Sequence, residues 1–209
     1  MERFAVIGAG AWGTALAMVA HRAGRSVILQ AHEPEVAAAI NAEHRNPYLA
    51  DIDLDPSIEA TADLGAAISG ADAIILVAPS QFLRPVTKAM ADQGNVTAPV
   101  LICAKGIENE TCMLMTEVVA ETLPAAPQAV LSGPTFAAEV ARDIPSAVTM
   151  AAEDADLADQ FIQALGTPHF RPYRSGDPIG AEVGGAVKNV LAIACGIVQG
   201  KGMGDNTRA

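Results

Sequence analysis

Short, unbroken apolar runs alternate with longer stretches of helical periodicity from the first residues onward. Phe4-Ala5-Val6-Ile7 reads as a strand, Trp12 to Arg22 as a helix closed by Gly24, and Ser26-Val27-Ile28-Leu29 as the next strand. Together they form a βαβ unit. Glu33 to Glu43 is a second helix, and Arg45 to Asp55, which contains Asn46-Pro47-Tyr48, reads as a loop. Three further runs are Ala73-Ile74-Ile75-Leu76-Val77, Val100-Leu101-Ile102-Cys103 and Ala129-Val130-Leu131. They lack polar alternation, so they belong where both faces of a sheet are covered. Helical stretches separate them, and six or more such alternations predict an α/β fold, an open and mostly parallel sheet with helices on both faces. Composition agrees: with 51% hydrophobic but only 4% aromatic residues, the core must be built from Ala, Val, Ile and Leu.

The polar and glycine-rich segments fall just after these strands: Gly8 to Gly13, Pro79-Ser80-Gln81, Lys105-Gly106 and Ser132-Gly133-Pro134-Thr135. In such sheets ligands bind at the carboxyl ends of the strands, so the four loops are expected to line one crevice. After Asp177-Pro178 the pattern changes. Ile179 to about Gly200 reads as one long Gly- and Ala-rich helix with no strand behind it. The expected organisation is a nucleotide-binding domain over residues 1–177 and, over residues 178–209, the incomplete start of an all-α second domain.

Gly8-Ala9-Gly10-Ala11-Trp12-Gly13 is a G-x-G-x-x-G that follows a strand and opens a helix. Gly8 permits the tight turn, Gly10 lets backbone approach a pyrophosphate, and Gly13 allows close packing of helix on sheet. Ala11 and Trp12 lie at the helix N-terminus, whose N–H groups and partial positive charge suit phosphate. In this βαβ setting the motif implies a Rossmann-type, doubly wound domain that binds NAD or NADP. An NAD site usually has an acid at the end of the second strand, about 20 residues on, to hold the ribose hydroxyls. Gln30-Ala31-His32 occupies that end, and Glu33 comes slightly late. This favours acceptance of NADP, with His32 placed to lie against a 2′-phosphate, and leaves NAD open.

The net charge of −11 comes without a basic cluster, which argues against a nucleic-acid partner. Cys103, Cys112 and Cys195 form no CxxC pair and fit a reduced, cytoplasmic setting. No run approaches the ~18 uninterrupted apolar residues of a membrane span, so none is expected. The isolated histidines give no expectation of a metal site.

Three later segments make a more specific pattern: Cys103-Ala104-Lys105-Gly106-Ile107-Glu108, Leu131-Ser132-Gly133-Pro134-Thr135-Phe136-Ala137, and Gly184-Gly185-Ala186-Val187-Lys188-Asn189-Val190. With the glycine motif, and in this order, they resemble the bacterial-type NAD(P)-dependent glycerol-3-phosphate dehydrogenases along essentially the whole chain. The resemblance implies interconversion of sn-glycerol 3-phosphate and dihydroxyacetone phosphate, which supplies glycerol phosphate for phospholipid synthesis. It implies that Lys188 is the proton acceptor and also contacts substrate. Lys105 would lie near both cofactor and substrate, Gly133 and Thr135 against substrate, and Trp12, His32 and Ala137 against cofactor. A homodimer is the expected assembly at full length.

The chemistry is consistent with these roles. Oxidising a secondary alcohol needs a hydride acceptor and a base for the hydroxyl proton. For a lysine to act as base near pH 7–8 its pKa must fall from about 10.4, a differential cost of about 3–4 kcal/mol. Burial of Lys188 beside a second cation would do this, and Lys105 is the expected neighbour. Taken singly, a lysine on an apolar helix more often snorkels to water. Gly184-Gly185 one turn earlier shifts the balance, because glycines thin a helix where something comes close. A β-hydroxyacid dehydrogenase is the competing enzyme reading, but there an asparagine is expected one turn after the lysine, where this chain has Ala192. A non-catalytic nucleotide-binding module is the third reading. Family members continue beyond position 209 through a helical substrate domain, so the 209-residue species is expected to bind cofactor with little or no turnover. A smaller departure is Ala50, where proline is common in the family.

Overall fold

In the computed structural model, which describes residues 1–208, the first apolar run forms β1 (Arg3–Ile7), with four consecutive residues buried. The glycine turn leads into α1 (Ala11–Arg22), and β2 (Ser26–Gln30) returns parallel to β1 with Val6 opposite Leu29. The next helix, α2 (Pro34–Glu43), starts one residue later than its periodicity suggests. Glu33 is the extended N-cap residue, and Pro34 takes the first helical position, where its missing N–H costs nothing. The loop that follows is more ordered than its composition implies, with a 3-10 turn at Pro47–Leu49 and a bridge between Arg45 and Asp53.

The remaining elements are β3 (Glu59–Thr61), α3 (Leu64–Ile68), β4 (Ala73–Leu76), α4 (Leu83–Ala91), β5 (Val100–Ile102) and α5 (Met115–Thr122). After these come β6 (Gln128–Ser132), α6 (Ala137–Ala141), β7 (Ser146–Ala151), α7 (Ala155–Leu165), β8 (Phe170–Ser175), α8 (Pro178–Gly200) and α9 (Asp205–Arg208). The strands make one eight-stranded sheet in the order β3-β2-β1-β4-β5-β6-β7-β8. The first six follow the doubly wound order, all parallel. β7 then runs antiparallel to β6, with Val130 opposite Ala151, and β8 runs parallel to β7, with Ala151 opposite Ser175.

Alternate residues of the central strands feed two cores. Phe4, Val6, Ile75 and Leu101 pack with Leu16, Val19 and Phe161 on one face. Ala5, Ile7, Ile74, Leu76 and Ile102 pack with Met90, Val118 and Leu123 on the other. This is the period-2 alternation of a strand with both faces covered, and each large apolar side chain fully buried contributes about 1.5–3 kcal/mol. The edge strands β3 and β8 and the reversed strand β7 are absent from the sequence expectation. β8 is half exposed and contains Pro172, which an edge position tolerates.

α8 begins under an Asp177 cap, whose carboxylate accepts from Gly180 N–H at 2.8 Å, and packs on β6 and β7. Beyond Ala186 its residues are exposed almost throughout. Among the described residues it is the one helix long and apolar enough, by length and composition, to cross a membrane. That mark is a mean hydropathy over a window, not the uninterrupted apolar run on which the sequence expectation rests. Lys188 and Asn189 interrupt the apolar run, yet the mean hydropathy of its best 18 residues is still 1.5.

Candidate functional site

The turn between β1 and α1 is set by its glycines. Gly8 has φ +111°, a left-handed conformation that side chains disfavour, and a Cβ there would come within 3.2 Å of the Val77–Ala78 backbone. A Cβ on Gly13 would collide with the Gly8 carbonyl oxygen, whereas around Gly10 there is open space. Gly10 is also the N-cap residue of α1, and no side chain caps the helix, so its first N–H groups face the opening. Asn46 pins the turn from behind. It is fully buried, and its Nδ2 donates to Ala9 O at 2.9 Å and to Thr14 Oγ1 at 2.6 Å, while Oδ1 accepts from Tyr48 N–H at 2.9 Å.

The other three glycine-rich loops meet one another beside this turn, as expected for the carboxyl edge of a parallel sheet. Gly106 approaches Ser80 so closely that a Cβ would lie 2.5 Å from Ser80 Oγ. Gln81 clamps the same loop by donating to Ile107 O at 2.8 Å and accepting from Asn109 N–H at 2.9 Å. Lys105 Nζ donates to Gly133 O at 2.9 Å, which joins the loops after β5 and β6. α8 crosses above them: a Cβ on Gly185 would meet Ser132 Oγ at 3.0 Å and Lys105 Cγ at 3.6 Å. Glycine at 185 is thus what lets the helix lie against the Lys105 stem. The loop carrying Lys105 is braced at its far end by the Arg84 fork, two bonds of 2.9 Å to the Glu108 carboxylate. Arg84 and the Thr111 hydroxyl hold the Glu108 pKa down at about 2.

Lys188 lies one turn beyond Gly185, near enough to Lys105 for its charge to matter. Burial, and after it the Lys188 cation, holds the Lys105 amine below the usual lysine range. The expectation placed burial on Lys188; instead Lys188 is exposed, where α8 extends past the sheet, and Lys105 is half-buried beneath Gly185. Thr135 Oγ1 and Trp12 Nε1 are buried without a hydrogen-bond partner in the protein. Ala11 is the first residue of α1, and Ala137, the first of α6, packs on the larger core. His32 is exposed just past β2.

Two residues that sequence reasoning passed over belong to the frame of the site. Asn46 was legible as the residue before a proline but not as a buried clamp. Glu182, on α8, is buried, and its carboxylate accepts from both the N–H and the hydroxyl of Thr116. No spacing rule points to it.

A glycine turn with an open helix N-terminus, two orphaned polar atoms and a crevice of strand-end loops define a Rossmann-type dinucleotide-binding domain. Sequence models of the NAD-dependent glycerol-3-phosphate dehydrogenase N-terminus and C-terminus match residues 3–158 and 177–209. The chain belongs to the family of NAD-dependent glycerol-3-phosphate dehydrogenases. It is 56% identical over its whole length to glycerol-3-phosphate dehydrogenase [NAD(P)+] of Paramagnetospirillum magneticum, 76% of which it covers. It is 57% identical to the protein of the same name from Rhodospirillum rubrum, again over its whole length, and spans 60% of that relative. Among solved structures it resembles the Coxiella burnetii glycerol-3-phosphate dehydrogenase, with a TM-score of 0.91 and 37% identity over 99% of this chain and 64% of that one. The Plasmodium falciparum glycerol-3-phosphate dehydrogenase superposes with a TM-score of 0.91 at 25% identity, over 100% of this chain and 61% of that one.

Proposed function

We propose that the full-length protein interconverts sn-glycerol 3-phosphate and dihydroxyacetone phosphate with NAD(P)(H), in the cytoplasm, as a source of glycerol phosphate for phospholipid synthesis. The observation that carries this reading is the convergence of two lysines from distant parts of the chain, Lys105 bonded to Gly133 O and Lys188 one turn past Gly185, on the crevice beside the glycine turn. Two cations at one place suit a small phosphorylated substrate. The relatives' names support the same substrate.

In this reading Gly8, Gly10, Ala11, Trp12, Gly13, His32, Lys105 and Ala137 hold the dinucleotide, and Lys105, Gly133, Thr135 and Lys188 face the substrate. Gly10 leaves room for pyrophosphate, and the orphaned Trp12 Nε1 and Thr135 Oγ1 are free to donate. The nicotinamide, when bound, supplies hydride acceptance and donation. Lys188 Nζ takes the proton of the substrate hydroxyl in oxidation and returns it in reduction. Lys105 shares the crevice as a fixed positive group, held by Gly133 O, and keeps the substrate phosphate and carbonyl in register. Residues 1–177 form the dinucleotide domain and residues 178–209 begin the helical substrate domain. The protein works without a nucleic-acid partner, a metal or a membrane span, and as a homodimer at full length. The centrally placed Lys188 supports a non-spanning α8, since a lysine at mid-span costs about 2.5–3.5 kcal/mol.

The test is oxidation of NADH and NADPH by the full-length protein with dihydroxyacetone phosphate, beside its Lys188→Ala variant. Substrate-dependent oxidation that falls at least 100-fold in the variant supports the assignment. No substrate-dependent oxidation in the wild type removes it.

A further inference from the structure

β6 ends at Ser132, and the alternation of the strand sends this side chain to the face of Val130, opposite to that of Leu131. α8 crosses the same face, where its Ala181 packs with the core to which Val130 belongs. Gly185, one turn on, comes so close to Ser132 that a Cβ there would stand 3.0 Å from the hydroxyl oxygen, and 3.6 and 3.9 Å from Cγ and Cδ of Lys105. Its neighbour Gly184 meets nothing within 4 Å, so only one of the paired glycines answers a steric demand. The surface beneath Gly185 is fixed. Ser132 pairs with Thr149 of β7, a Cβ on Gly133 would lie 3.0 Å from Val148 Cγ1, and Gly133 O accepts from Lys105 Nζ at 2.9 Å. Ser132, Gly133, Lys105 and Gly185 thus close a ring of contacts. Glu182, tied to Thr116, holds the helix three residues before this ring, and Lys188 follows three residues after it. Residues three apart are neighbours on a helix surface, so Lys188 leaves α8 on the side where Gly185 rests on Ser132 and Lys105. Beyond Ala186 the helix is exposed, and the Gly185 contact lies where it parts from the body of the protein.

We infer that Ser132 is a positioning residue: its hydroxyl is the stop against which Gly185 rests, and it sets how far the Lys188 amine stands from Lys105. The inference rests on the reading of these two lysines as the reacting pair. A helix held at Glu182 and Gly185 and unsupported past Ala186 acts as a lever, so a rise at the Gly185 contact is carried on to Lys188. Close packing leaves no slack to absorb such a rise. A methyl group at 185 forces Ser132 to give by a few tenths of an ångström, and loss of the hydroxyl lets the helix settle. Displacements on this scale register in catalysis, where a misplacement of about 1 Å costs roughly 100-fold.

The test uses the full-length protein and two substitutions that offset each other. Gly185→Ala is expected to lower kcat for reduction of dihydroxyacetone phosphate about tenfold without weakening NADH binding, since the glycine turn is untouched. Adding Ser132→Ala removes the atom that the new methyl group meets and should restore most of the lost kcat. Acylation of Lys105 across a pH series separates position from stability. The amines move apart in Gly185→Ala, so the Lys105 profile shifts to higher pH; they settle closer in Ser132→Ala, so it shifts to lower pH. Far-UV circular dichroism checks folding, and Ser132→Ala, which removes a single oxygen, carries the test by itself if Gly185→Ala does not fold. Wild-type kcat in Gly185→Ala, no recovery in the double variant, or an unmoved Lys105 profile in Ser132→Ala overturns the inference. A wild type without substrate-dependent turnover overturns the proposed reaction itself, and this inference with it.

Discussion

Glu182 on α8 accepts two hydrogen bonds from Thr116 at the start of α5, one from the backbone N–H at 2.9 Å and one from the hydroxyl at 2.7 Å. The carboxylate is buried and caps the N-terminus of α5. It stands six positions before Lys188, so it moors the helix that carries the proposed base to the body of the sheet.

Replacing this mooring with Glu182→Ala should cost about 2 kcal/mol of stability in urea unfolding, the scale for losing two buried hydrogen bonds. It should lower kcat more than it weakens cofactor binding, since the glycine turn is untouched. Burial pushes the Glu182 pKa up against the pull of the Thr116 bonds. The sign follows: a raised folded-state value means the favourable contribution belongs to the protonated form. That contribution is complete below the ordinary glutamate value of 4.5 and is lost as pH rises through the folded-state value. Glu182→Gln, which cannot ionise, should therefore gain on the wild type as pH rises from about 4 to 7. A difference in unfolding free energy that stays flat with pH would count against this account.

The glycines of the turn should separate into two kinds. Gly13→Ala drives a Cβ into the Gly8 carbonyl oxygen, so the melting temperature should drop by several degrees. Gly10→Ala meets nothing within 4 Å and should melt close to the wild type. Its methyl group instead takes the space where backbone must approach pyrophosphate, so nucleotide affinity should fall tenfold or more. Equal affinity of Gly10→Ala and wild type in a titration would show that the pyrophosphate binds elsewhere.

Lys105 and Lys188 should be electrostatically coupled. Burial is the larger cause of the depressed Lys105 pKa and the Lys188 charge the second, so Lys188→Ala should move the Lys105 amine part of the way back toward 10.5. Acylation of Lys105 followed by mass spectrometry across a pH series reads this directly. An unmoved Lys105 profile in the variant would mean that the two amines do not share the crevice.

Glu108 gives the opposite pH dependence. Its pKa is lowered to about 2 by Arg84 and Thr111, so its contribution is fully present above the ordinary value of 4.5 and lost as pH falls through about 2. Glu108→Gln should loosen the segment from Gly106 to Met113, in which Glu110 and Cys112 already hold positive φ values. Limited proteolysis at neutral pH should then cut within that segment faster than in the wild type. Identical cleavage rates would assign the bracing to the Gln81 clamp alone.

The central sheet was legible because its strands are continuous apolar runs, and the glycine turn because each glycine answers a local steric demand. The edge was not. β8, Phe170 to Ser175, places Arg171, Pro172 and Arg174 in a strand whose one neighbour is β7, and no alternation survives there. The two lysines were legible as motif members, yet which of them is buried depends on where α8 leaves the sheet, a long-range fact. Asn46 and Glu182 were invisible for the same reason: their partners lie 37 and 66 positions away, and a buried polar side chain has no periodic signature.

The reversal of direction between β6 and β7 has a bearing on how the proposed base reaches its work. A seventh and eighth strand running with the others would have delivered the chain at the rim of the crevice, with the next helix leading away. Because β7 and β8 descend, the chain is released level with the middle of β6, opposite Val130. α8 then has to climb, spending its first two turns against the sheet and Thr116 before its third brings Lys188 to the rim. One reversal of strand direction, at β7, thus sets the direction from which the amine arrives.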